Sequence, residues 1–284
     1  MSLPTETGLY PGIPRAAYER IERINWSALR HMKRSPAHFR AALSTQADDT
    51  DAMRVGRATH VATLEPERFR SQWAVWDGGA RRGKEWEKFE RQAHADGLDV
   101  LTADQFETVQ AISKAALSDE YAARYLRGGS AEVTLLWADS DSGIPCKARP
   151  DFAAKDVGAL VDLKSTRDAS PEAFARACWN LSYAEQAAFY VDGYEAATGV
   201  RLPYVIVAVE NCAPYIVQVY RLPNAVLDIG RATYRGHLER LALCRRTGRW
   251  PGYGDGELDL ELPRWVARND NEEDLAGLGL VINQ

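Results

Sequence analysis

The chain has little of what would build a disulfide scaffold or a soft-metal centre. Its 284 residues hold four cysteines, Cys146, Cys178, Cys212 and Cys244. No two are close enough to form a C-x-x-C ligand pair. Isolated thiols of this kind fit a reduced protein with cysteines packed in its core, and they exclude a small disulfide-stapled fold. No apolar run is long enough to cross a bilayer and no secretory leader pattern opens the chain. A cytoplasmic protein with no membrane partner is therefore expected. Positive charge is not in excess either: 35 Lys and Arg stand against 40 Asp and Glu, a net charge of −5. This balance counts against a surface that is basic overall, but it leaves room for a positive groove. There is no glycine-rich phosphate loop and no dinucleotide motif, which counts against a small-molecule enzyme built on a nucleotide cofactor.

What is present is ordinary globular material. Hydrophobic residues make up 45% and charged residues 26%, enough for one large domain or two small ones. Residues 1–20 show no sustained period and read as an N-terminal arm. Asn25-Trp26-Ser27 offers caps for a helix to about Lys33, and Ser35-Pro36 starts another. Met53–Glu65 and Thr102–Leu126 carry helical patterns, the second opened by a Thr102/Gln105 capping box. Ser182-x-x-Glu185 suggests a second box, opening a helix that ends at Gly199. Leu222–Thr247 reads as a long helix with arginines at its end, where cations suit the helix dipole. Ala131–Ala138, Ile144–Ala154, Ala159–Thr166, Tyr204–Glu210 and Tyr215–Leu222 read as extended. The segment 266–284 is expected to be a C-terminal tail.

The chemistry gathers between Gly143 and Tyr190. If Ile144–Ala154 and Ala159–Thr166 pair as a hairpin, Asp151 sits beside Asp162. Alternation along a strand puts Asp162 and Lys164 on one face and Leu163 on the other. Two carboxylates and an ammonium then converge, an arrangement that can hold a divalent cation.

Five elements stand in order: Gly56-x-x-x-His60, Glu132 ahead of an apolar strand, Lys147-x-Arg149-Pro150-Asp151, Asp162-Leu163-Lys164, and Gln186-x-x-x-Tyr190. Together they resemble the PD-(D/E)xK nuclease superfamily, in its RecB-like branch, and most of all the RecE (exodeoxyribonuclease VIII) nuclease domain of phages and prophages. The resemblance covers roughly residues 20 to 265. It implies an α/β fold with a restriction-endonuclease-like core: a central mixed sheet flanked by helices, with an N-terminal helical region. One domain over 21–265 is expected, helical over 21–128 and catalytic over 129–250.

The implied activity is a metal-dependent 5′→3′ exonuclease on double-stranded DNA ends, leaving 3′ overhangs for strand annealing. Mg²⁺ or Mn²⁺ is the implied cofactor, one or two ions per site. The ligands would be Asp151, Asp162, His60 and the Leu163 carbonyl. Glu132 would act directly or through water, and Lys164 would orient or deprotonate the attacking water. Gln186, Tyr190, Arg149 and Lys147 would face DNA. The basic cluster Arg81, Arg82 and Lys84 is either a solvated helix face or a phosphate contact. A single-strand annealing recombinase and a homo-oligomeric ring are the implied partners. Two other readings are a RecB- or Cas4-type nuclease subunit of a larger complex, and a non-catalytic DNA-binding scaffold. The missing cysteine cluster argues against the first, and the complete Asp/Asp/Lys set against the second. The middle acid is aspartate where glutamate is commoner, and the histidine would complete the metal's ligand shell.

Overall fold

Short polar residues set where the helices begin. In this computed structural model, which describes residues 3–45, 49–254 and 256–262, the Asn25, Ser35, Thr50 and Thr102 side chains each accept a backbone N–H three residues on. Each bond satisfies one of the donors that a helix start leaves free. In chain order the elements are β1 (Gly8–Tyr10), α1 (Arg15–Glu19), α2 (Trp26–Leu29) running into a 3-10 turn (Arg30–Lys33), α3 (Pro36–Ser44), α4 (Asp51–Leu64), a second 3-10 turn (Pro66–Ser71), β2 (Trp73–Trp76), α5 (Lys84–Ala95), β3 (Asp99–Thr102), α6 (Ala103–Ser118) and α7 (Glu120–Ala123). The second half adds β4 (Gly129–Ala131), β5 (Thr134–Ala138), β6 (Pro145–Ala148), β7 (Phe152–Ala154), β8 (Ala159–Thr166), α8 (Pro171–Asn180), α9 (Tyr183–Thr198), β9 (Tyr204–Glu210), β10 (Val217–Arg221) and α10 (Asn224–Thr247).

The central sheet has five strands in the order β10-β9-β8-β7-β4. β8 and β9 run parallel and the other pairs antiparallel. This is the mixed sheet flanked by helices that the sequence leads one to expect. A smaller antiparallel sheet, β1-β5-β6, faces it, and β2 and β3 form a separate parallel pair. Alternation along β8 sends Leu160 into one apolar cluster with Phe189 and Ile206, and Val161 and Leu163 into another with Ile112 and Val207. Both faces of β8 are thus covered, by α9 on one side and α6 on the other. α9 is buried nearly all round because it packs on β5, β6 and β1 as well as on α10. Its sequence of small and aromatic residues suits a helix enclosed between layers. Gly230 of α10 lets the two helices meet, since a Cβ there would lie 2.2 Å from the Ala184 carbonyl oxygen.

Several expectations are corrected. Residues 8–10 are no free arm: β1 pairs with β5, and α1 follows it. Each of the runs 131–138 and 144–154 is divided between two sheets, so the chain changes sheet at Glu132 and again at Arg149–Asp151. The helix begun at Thr102 breaks at Asp119, which caps α7. β2 and β3 had no clear sequence pattern. The Ser182/Glu185 box does not form: Ser182 has φ 59° and makes no cap, and Glu185 is buried. The tail 266–284 lies outside the described residues. Among the described residues, no helix is long and apolar enough to cross a membrane.

Candidate active site

The two points where the chain changes sheet lie side by side. The Glu132 N–H donates to the Asp151 carbonyl at 2.9 Å. Glu132 takes φ 52°, a left-handed conformation that costs a residue with a Cβ on the order of 1 kcal/mol or more. That turn carries the chain from β4 to β5. Pro150 restricts Arg149 to extended backbone and leads into β7. β7 pairs with β8 so that Phe152 faces Val161, and Asp151, one residue earlier, comes alongside Asp162. This is the hairpin neighbourhood the motif requires.

α4 supplies the imidazole. Ligand atoms of His60, Glu132 and Asp151 all lie within 4.8 Å of one another. His60 Nε2 lies 2.8 Å from the Leu163 carbonyl oxygen. A carbonyl only accepts, so Nε2 carries the proton and Nδ1 is left with its lone pair. Nδ1 lies 3.5 Å from Asp151 Oδ1, two acceptors facing each other with room for a cation. Burial, and then the Lys164 charge, lower the His60 pKa, which keeps the ring neutral as a metal donor must be. The Leu163 carbonyl, expected as a ligand, accepts from this ring and so orients it.

Asp162 stands behind this trio. Its side chain is 2% exposed, and its Oδ2 lies 2.6 Å from Lys164 Nζ. The buried Tyr204 hydroxyl also neighbours this carboxylate. Asp151 Oδ2 accepts the Leu163 N–H at 2.9 Å. Burial, and then the Asp162 charge, push the Asp151 carboxyl well above the usual range. Two adjacent buried carboxylates disfavour each other's ionisation unless positive charge is supplied. Burial works against the Lys164 charge, but Asp162 and Asp151 outweigh it and raise its pKa. Lys164 is held as a cation in this arrangement. Its ammonium lies 4.9 Å from the Tyr183 ring centroid.

These groups open into a cleft of about 620 Å³, whose walls include Tyr18, Arg57, Arg149, Tyr183, Gln186 and Tyr190. Gln186 Nε2 donates to the Tyr190 hydroxyl at 3.3 Å. Both residues line the cleft. A second chamber of about 460 Å³ adjoins through His60, Glu132, Arg57 and Arg149. Arg149 pairs with Glu132 through Nε and donates to the Ile13 carbonyl at 2.7 Å. It holds the acid in place while lining the cleft.

Other expected DNA contacts lie elsewhere. Lys147 is 4% exposed, and its ammonium donates to the Tyr18 and Ile21 carbonyls at 2.8 Å each and to Glu19 at 3.3 Å. It caps the end of α1, so the expectation of a phosphate contact is corrected: no donor is left for solvent. Arg81 is held by Asp51 and Gln105 in a separate pocket with Arg54 and Trp86. Arg82 and Lys84 are exposed at the start of α5 and do not line the cleft. The sequence reading missed Tyr183, although Tyr183, Gln186 and Tyr190 stand at i, i+3 and i+7, one helix face. It also missed Arg57, one turn before His60. Nothing in the sequence pointed to Tyr18.

A mixed sheet that brings Asp151, just ahead of β7, beside Asp162 and Lys164 of β8 has the layout of a PD-(D/E)xK fold. The chain belongs to the family described as a PDDEXK-like domain of unknown function (DUF3799), whose model matches residues 25–260. Among solved structures it is similar to a "Putative exonuclease" from Eubacterium rectale, with 15% identity over 88% of this chain and 94% of the other at a TM-score of 0.59. That likeness shows the fold. An alkaline exonuclease from Laribacter hongkongensis matches at 13% identity over 67% of this chain and 92% of the other, and its TM-score of 0.28 carries no argument. No curated protein matches the chain.

Proposed function

We propose that this protein is a metal-dependent DNA exonuclease. The observation that carries the reading is the convergence of His60, Glu132 and Asp151 within 4.8 Å, beside an Asp162–Lys164 pair at the base of a cleft. The donor set fits a divalent cation: one neutral imidazole and the hard carboxylate oxygens of Glu132 and Asp151, with the buried Asp162 carboxylate behind them. His60, Glu132 and Asp151 would hold the ion, Mg²⁺ or Mn²⁺, with Asp162 available to it or to a second. When bound, such an ion supplies neutralising charge for phosphoryl oxygens and lowers the pKa of water.

The chain's own groups do the rest. The Lys164 ammonium faces the cleft and stabilises negative charge developing on the phosphoryl group. Arg149 fixes the Glu132 carboxylate, and the Leu163 carbonyl fixes the imidazole. Gln186, Tyr190 and Tyr183 form the wall against which a strand end is positioned. The RecE-like resemblance further suggests 5′→3′ polarity on duplex ends and 3′ overhangs passed to an annealing recombinase. It also suggests a ring of copies, and one nuclease domain over 21–265.

The experiment is digestion of 5′- and 3′-labelled duplexes in Mg²⁺, with Asp162→Ala as control. Release of label from the 5′ end first, abolished by the substitution and by chelation, is expected. Equal degradation by wild type and variant would end the assignment; loss from the 3′ end first would reverse the polarity.

A further inference from the structure

The basic groups of this acidic chain are unevenly spread. No acidic residue occurs from Arg23 to Ala47, nor from Arg240 to Gly254. The fold brings these two stretches together. Arg240 Nη1 donates to the Met32 carbonyl at 3.4 Å, and the Ala37 N–H to the Pro251 carbonyl at 3.0 Å. Phe39 stacks on Trp250, and Arg34 Nε donates to the Tyr253 hydroxyl at 2.7 Å. Lys33, Arg34 and Arg240 are exposed, and none is paired with a carboxylate among the described residues. Around the cleft, by contrast, Arg57 and Arg149 each hold an acid, as do Arg81 and Arg231 further off. Lys33 and Arg240 also converge on His237, whose pKa burial and then these two charges push down to about 4. Like charges gathered without counter-charge cost stability, and a bound polyanion removes that cost.

This face begins at the cleft. Asn25 and Ser27 line the cleft at the start of α2, and Lys33 lies roughly 10 Å further along the same helical segment. Lys33 Nζ donates to Ser182 Oγ at 3.0 Å. Ser182 adjoins Tyr183, the residue whose ring faces Lys164. The same ammonium lies 5.8 Å from the Trp179 ring centroid, and Trp179 is 65% exposed.

We propose that Lys33, Arg34 and Arg240 form a track for a single nucleic-acid strand running to or from the active-site cleft, with Trp179 stacking an unpaired base. The inference rests on the nuclease reading of that cleft. An exposed indole beside the cations fits a strand with free bases better than an acidic peptide, which has no flat partner to offer. The Arg81–Lys84 cluster is not part of this track.

The test measures binding of the full chain to fluorescein-labelled single-stranded oligonucleotides across a salt series, with Ca²⁺ in place of Mg²⁺. Three lost phosphate contacts should reduce the slope of log K against log salt by about 2 in a Lys33→Gln, Arg34→Gln, Arg240→Gln variant. Trp179→Ala should weaken binding by roughly fivefold to a hundredfold. Hydrolysis of a nitrophenyl nucleotide ester, too short to reach the track, should stay at the wild-type rate in both. Lys33→Gln alone, with a slope change of about 0.7, serves if the triple variant does not fold. Wild type that cuts DNA, with variants that keep its slope and affinity, overturns the track alone. So does loss of binding to polyglutamate equal to the loss for oligonucleotide, which would mark an acidic-protein site. Wild type that neither binds nor cuts nucleic acid overturns the nuclease reading and the track together.

Discussion

Replacing Lys147 by methionine keeps the length of the side chain and removes its ammonium, which separates a structural lysine from a DNA-binding one. In the fold that ammonium has two carbonyl acceptors at 2.8 Å, a third at 3.3 Å, and the Tyr18 ring with its centroid 4.5 Å away. Charged hydrogen bonds of the shorter kind contribute about 2 kcal/mol each, and a desolvated cation–π contact about 1–2 more. Against this, burial pushes the Lys147 pKa down to about 8, with Glu19 pulling the other way. The displacement from the ordinary lysine value corresponds to about 3 kcal/mol of cost for holding the charge, which methionine does not incur. The net loss is about 2–3 kcal/mol, or roughly 5–10 °C in melting temperature for a chain of this size. Differential scanning calorimetry and the salt dependence of DNA binding, measured on one preparation, decide the matter. Loss of stability with an unchanged salt slope is expected. A variant that melts with the wild type but loses about one phosphate contact from the slope would refute the capping role.

Three further outcomes follow from the same geometry. Lys164→Arg should lower hydrolysis at least a hundredfold, because the wider guanidinium must displace the Tyr183 ring to reach Asp162; activity within tenfold of wild type in a single-turnover assay would refute this. Ca²⁺ at about a hundred times its dissociation constant should stabilise the wild type by about 3 kcal/mol in urea melts. Asp151→Ala or His60→Ala should remove most of that gain, and a gain unchanged in both would place the ion elsewhere. His237 is neutral in the fold, with a pKa of about 4, while the unfolded chain binds its proton below about 6.5. Stability should therefore fall as acid is added, by about 2 kcal/mol between pH 7 and pH 5. His237→Leu should flatten that limb of a urea-denaturation series, and an unchanged slope would mean that other groups set it.

The most legible parts of the sequence were those fixed by local chemistry. Thr102 and Gln105 form the capping box that their spacing demands. β8 and β9 begin and end where the apolar runs do, at Ala159–Thr166 and Tyr204–Glu210. Asp162 and Lys164 face one way because alternation in a strand allows nothing else. What long-range packing decides was hidden. Lys147 reads like a groove lysine, and only the return of α1 to β6 buries it. Ser182 has the letters of a helix cap but hydrogen-bonds Lys33 from a segment 149 residues away. Glu132 was expected near the metal only through the family resemblance, since its position at a strand start suits a surface residue equally well. Its role comes from a left-handed turn that no propensity favours there.

That turn lies beside the Arg149–Asp151 crossing, so the ligand trio straddles a seam: Glu132 and Asp151 mark the two places where one layer hands the chain to the other. A cation bound across this seam would act as a rivet. Any sliding of one layer over the other would spread the ligands apart, and loading the ion would stiffen a joint that, among the described residues, no ladder of strand hydrogen bonds spans. Substitutions far from the chemistry that alter how α9 is wedged between the layers should then loosen metal affinity before they unfold the protein.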